Sequence, residues 1–146
     1  MPSMPGGADL AELLVVDASV VVALVASRAA GTAAIAARIG DARLHAPAIL
    51  PVEVDSALRG LERGGRLTPE QASVARGHAA ALPIELWPWH VLADRAWELR
   101  ANVTTYDAGY AALAEHLGAT LLTGDRRLEA AKRALRCPVE VVTLSA

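Results

Sequence analysis

Short apolar runs alternate along this chain with longer stretches in which apolar residues recur every three or four positions. Leu13–Val16 is four apolar residues in a row, the pattern of a buried parallel strand. Residues 20–30 predict a first helix, with Ser19 as its N-cap and Gly31 as its interruption. A second helix is expected over 32–39 and a short strand over 43–46, closed by Pro47. Leu50, Val54, Leu58 and Leu61 then recur at spacings of four, four and three, which marks one helix face ending at Gly64 and Gly65.

Thr68-Pro69-Glu70-Gln71 has the makings of a capping box with proline at the first helical position, so a helix should run from there to about Leu82. Strands are expected at Ile84–Trp87, 119–123 and 139–144, and helices at 91–100, 106–117 and 125–135. No hairpin signal appears, and every connection is long enough for a crossover. The fold class that follows is α/β: a single domain with a central, mostly parallel sheet flanked by helices on both faces.

Composition narrows the picture without naming a function. A chain of 146 residues fits one domain, taken as 13–146 behind a loose N-terminal tail over 1–12. The net charge of −2 gives no global attraction to a polyanion. Cys137 is the sole cysteine, which rules out an internal disulfide and a cysteine metal site. The longest apolar stretch is broken by Asp17 and too short to span a bilayer, and the N-terminus lacks a signal-peptide pattern. A soluble, cytoplasmic protein without a membrane partner is the expectation.

The acids carry the chemistry. Asp17 follows a buried strand directly, and Asp125 follows the strand of ATLLTG in the equivalent place. Open α/β sheets bind ligands at that carboxyl edge. Asp107 falls in the first turn of a helix, and Glu53 falls early in another, between Val52 and Val54. Taken singly, each has an ordinary explanation as a helix cap, a first-turn acid or a solvated position. Together they form a set that cannot ionise in one pocket unaided, because like charges raise each other's pKa. A divalent cation resolves that conflict, and an all-carboxylate set favours Mg²⁺ or Mn²⁺ over Zn²⁺. Hydrolysis of a phosphodiester is the matching reaction class.

With these residues in place, the segments VVDAS at 15–19, PVEVDSAL at 51–58, TTYDAGYAALAEHLG at 104–118 and TLLTGDRRL at 120–128 resemble the PIN domain, and within it the VapC toxins of type II toxin–antitoxin pairs. The resemblance spans nearly the whole chain. It implies a metal-dependent endoribonuclease with Asp17, Glu53, Asp107 and Asp125 as metal-binding acids, supported by Ser19 and Thr123. It further implies a homodimer and a cognate VapB-type antitoxin lying across the active-site groove. Arg59, Arg126 and Arg127 are candidates for RNA phosphates, with a solvated helix face as the plain alternative for each. His45, His78, His90 and His116 show no ligand spacing, and Trp87 and Trp89 fit either packing or base stacking.

The competing reading is an inactive PIN-like module that binds RNA or regulates, although none of the four acids is missing. A receiver domain would need paired acids at the first strand, and an aspartyl phosphatase a DxD start; Asp17 is followed by Ala18 and Ser19. No glycine-rich loop follows the first strand, which excludes a dinucleotide fold.

Overall fold

The computed structural model describes residues 10–27 and 29–144. Most of the expected tail, residues 1–9, therefore lies outside the described residues. Five strands, β1 (Leu13–Val16), β2 (Arg43–Pro47), β3 (Ile84–Trp87), β4 (Thr120–Thr123) and β5 (Val139–Val141), form one sheet in the order β3-β2-β1-β4-β5. Among the described residues every strand pairing is parallel. The helices are α1 (Ala18–Ala26), α2 (Ala29–Ile39), α3 (Leu50–Arg63), α4 (Pro69–Ala81), α5 (Trp89–Glu98), α6 (Thr105–Leu117) and the short α7 (Arg126–Ala130).

This strand order has a topological consequence. The chain builds outward from β1 to β2 and β3, then returns to the other side of β1 to lay down β4 and β5. With right-handed crossovers, the helices of the two halves fall on opposite faces of the sheet. Between β1 and β4 the direction of winding reverses, and a crevice opens outside their carboxyl ends. Leu14, Val15, Val16, Leu121 and Leu122 are fully buried there and make β1 and β4 the floor of the core.

Several boundaries differ from the sequence expectation. The first helix starts at Ala18, not Val20, because Asp17 and not Ser19 is its cap: the Asp17 carboxylate accepts the Val20 N–H at 3.2 Å. Gly31 does not interrupt; it is buried inside α2, which begins at Ala29. The helix expected over 125–135 breaks after Ala130 and tightens into a 3₁₀ turn at Lys132–Ala134. The strand β5 stops at Val141, three residues before the expected end at Leu144.

Other signals hold in detail. Thr68 and Gln71 form the reciprocal capping box of α4. Gly118 closes α6 in the left-handed conformation, φ 63°, that glycine adopts without strain. Gly109 sits within α6 because Trp89 packs on it: a Cβ there would lie 2.9 Å from the Trp89 ring. Trp87 also packs, donating its Nε1–H to His45 Nδ1 at 3.1 Å and meeting His116 edge-on. Asp55 pairs with Arg76 at 3.0 Å and so ties α3 to α4.

Candidate active site

Asp17 emerges from β1 at the crevice and is only 7% exposed. Its two oxygens are held separately. The Ser19 hydroxyl and the Val20 N–H donate to Oδ1, while the Thr123 hydroxyl, at the end of β4, donates to Oδ2. Both hydroxyls also accept: Ser19 Oγ takes the Gly124 N–H at 2.9 Å, and Thr123 Oγ1 takes the Asp125 N–H at 3.0 Å. The two strand ends are thereby laced through one carboxylate. A Cβ at Gly124 would stand 3.1 Å from Ser19 Oγ and run into the Leu144 side chain, so a larger residue there would have to displace both.

Glu53 is half-buried in the first turn of α3 and accepts the Tyr110 O–H at 2.8 Å. Asp107 is half-buried in the first turn of α6, whose N-cap Thr104 accepts the Asp107 N–H at 3.1 Å. Burial is the main force on all three acids, and it pushes each above the usual carboxylate range. The hydroxyls of Ser19 and Thr123 work against it at Asp17, that of Tyr110 at Glu53 and that of Thr104 at Asp107. The acids also raise one another: Asp107 acts on Asp17 and Glu53, and Asp17 acts on Glu53. The repulsion felt at Asp17 and Glu53 places Asp107 in their neighbourhood, while the Arg127 charge acts on Asp107 in the opposite sense.

Asp125 differs. It caps α7, and Arg127 grips it through the backbone N–H and through guanidinium contacts of 2.8–3.1 Å to both oxygens. That grip holds its pKa below the ordinary value. Asp125 still raises Asp107, so it borders the cluster. Among the described residues, no cationic side chain forms an ion pair with Asp17, Glu53 or Asp107.

The donor set is all carboxylate and hydroxyl oxygen, which suits a hard divalent cation and not zinc. As the side chains stand, no three acids or imidazoles among the described residues are close enough to share one ion. Beside the acids, a groove of about 1,070 Å³ runs between α1 and α3, from Ser19 and Glu53 past Val52 and Tyr106 to Arg66 and Leu67.

Of the arginines, Arg59 and Arg126 are exposed on α3 and α7, while the Arg127 guanidinium is turned onto Asp125. Tyr110 was not singled out from the sequence. Its position three residues after Asp107, on the same helix face, was the available signal.

A family model described as "PIN domain" matches residues 14–134. "Ribonuclease VapC9" of Mycobacterium tuberculosis is 38% identical over 130 residues, 89% of this chain and 98% of the relative. "Ribonuclease VapC12" of the same organism is 38% identical over 116 residues, covering 80% of this chain and 89% of the relative. Among solved structures, PAE2754 from Pyrobaculum aerophilum superposes with a TM-score of 0.64 at 28% identity, over 92% of this chain and 93% of that one. VapBC2 from Rickettsia felis, solved with a DNA fragment, shares the fold with a TM-score of 0.60 at 11% identity, over 89% of this chain and 98% of that one.

Proposed function

The chain belongs to the PIN-domain family, among the VapC ribonucleases, and from that premise we propose that it is a metal-dependent endoribonuclease toxin restrained by a cognate antitoxin. One observation carries the catalytic part. One buried and two half-buried carboxylates stand near one another at a sheet switch point, with no ion-paired cation among the described residues. Proteins seldom keep such an arrangement without a use for it.

Asp17, Glu53, Asp107 and Asp125 would hold Mg²⁺ or Mn²⁺. Such a cation, when bound, supplies Lewis-acid polarisation of a phosphoryl oxygen and lowers the pKa of coordinated water. The chain's own residues fix the donors. Ser19 and Thr123 keep the Asp17 carboxylate in one orientation, and Asp17 in turn fixes the start of α1. Ser19 is not poised as a nucleophile, because its hydroxyl is spent on Asp17 and the Gly124 N–H, with no histidine base bonded to it. Water is therefore the attacking group, and the phosphodiester is cut by direct displacement without a covalent enzyme intermediate.

The groove between α1 and α3 suits an extended antitoxin segment: its apolar walls include the exposed Val52 and Tyr106, and its end at Glu53 is acidic. A homodimer completes the proposal. No described helix is long and apolar enough to cross a membrane, and action in the cytoplasm fits an RNA substrate.

The test is cleavage of a mixed RNA pool by purified protein with and without Mg²⁺ or Mn²⁺, beside Asp17→Asn. Discrete fragments that require metal and disappear in the variant support the proposal. A wild-type protein that binds RNA without cutting it in either ion, in the face of a known cleavable RNA, favours the inactive PIN-like module.

A further inference from the structure

We propose that Tyr110 is a positioning residue that sets the Glu53 carboxylate for the cation; this rests on the reading of the acids as a metal site. The phenol is 2% exposed, deep in α6, and its O–H donates to Glu53 Oε1 at 2.8 Å. A tyrosine side chain this deeply buried needs a partner for its hydroxyl. Glu53 is that partner, although it stands on a different helix, 57 residues away in sequence.

The bond does two things at once. It fixes one oxygen of a long, flexible side chain and leaves Oε2 without a protein donor among the hydrogen bonds of the described residues. It also couples two acids mechanically. Asp107 and Tyr110 lie three residues apart on one helix, so α6 carries one carboxylate and the anchor of another as a single rigid rod. Any shift of α6 relative to α3 would move Asp107 together with the hydroxyl that anchors Glu53.

Hydrogen-bond partners of metal ligands change metal affinity by about 10- to 100-fold when removed. The experiment is calorimetric titration of Mn²⁺ alone into wild type, Tyr110→Phe, Glu53→Ala and the double variant, with thermal unfolding as the folding check. Tyr110→Phe should fold and bind Mn²⁺ about 10- to 100-fold more weakly. In the Glu53→Ala background the same change should cost little, because the group Tyr110 acts through is gone. A fully additive loss assigns Tyr110 a general structural role and overturns the proposal, as does unchanged affinity in the single variant.

Should Tyr110→Phe fail to fold, Glu53→Asp leaves the phenol in place and withdraws the carboxylate by one methylene. It should then lose affinity on the same scale, and wild-type binding by Glu53→Asp would contradict the proposal. Absence of Mn²⁺ binding by the wild type is a different failure: it removes the metal site itself.

Discussion

Asp17 and Asp125 occupy equivalent places and are treated in opposite ways. Each follows a strand at the switch point, and each caps the next helix. Asp17 is braced by two hydroxyls and a backbone N–H, and burial drives its pKa up. Asp125 sits at the rim, held by an arginine whose side chain is 85% exposed, and its pKa falls. Hydroxyls orient a carboxylate without cancelling its charge, whereas a guanidinium cancels it. The buried member is therefore the one built to receive an external cation, and the outer member exchanges partners most easily.

The largest effect should come from Asp17 itself. Asp17→Asn keeps the cap and the volume but removes the charge. RNA cleavage should fall by roughly 10³-fold or more, the scale of losing a principal electrostatic element of a site. Single-turnover assays at saturating metal check this.

Next is Thr123→Val, which is nearly isosteric and deletes both the donor to Asp17 and the acceptor for the Asp125 N–H. Leaving these buried groups unpaired should cost on the order of 1–3 kcal/mol in denaturant unfolding. Activity should drop about 10- to 100-fold through the misheld carboxylate.

The pH dependence of stability separates the two aspartates by sign. Asp17 has a raised folded pKa, so its contribution declines as pH climbs from the ordinary aspartate value through the raised one. Asp17→Asn escapes that decline, and its Tm should gain on wild type as pH rises across this window. Asp125 has a lowered folded pKa, so its contribution is present above the ordinary value and is lost as pH falls through the lowered one. Asp125→Asn should therefore fall behind wild type at neutral pH and catch up in acid. Parallel melting curves from pH 3 to 8, as a chosen range, read both signs.

The smallest effect belongs to Arg127→Ala. An exposed ion pair adds little, so the Tm should move by less than about 3 °C. The Asp125 carboxyl resonance should nevertheless titrate closer to the ordinary range, and NMR reads that shift directly.

How much of this could be read from the chain alone differs by element. Asp17 was legible because a charge directly after Leu13–Val16 has few structural excuses. Asp107 was legible because it falls in the first turn of a helix, where the dipole favours a carboxylate. The cap of α1 was misread, since aspartate and serine both suit an N-cap and only the spatial partner decides. Ser19 lost that role because its hydroxyl is used on the neighbouring Asp17 and, across the crevice, on the Gly124 N–H.

Gly31 looked like a stop because propensity disfavours glycine in a helix, yet tertiary packing keeps it buried there. Tyr110 and the Asp55–Arg76 pair depend on contacts between helices, which no local pattern encodes. The Arg127 clamp was hidden differently: a basic residue beside an acid reads equally as a phosphate contact or an internal partner.

The central claim is that the inner acids, which have no ion-paired cation among the described residues, are the cation site, and a carboxyl-detected NMR titration with and without Mg²⁺ tests it most directly. Without Mg²⁺, Asp17 should titrate above and Asp125 below the ordinary aspartate range. With Mg²⁺, Asp17, Glu53 and Asp107 should all move to lower pKa values, because the bound cation favours their charged forms. Carboxyl titrations at Asp17, Glu53 and Asp107 that ignore Mg²⁺ would contradict the account.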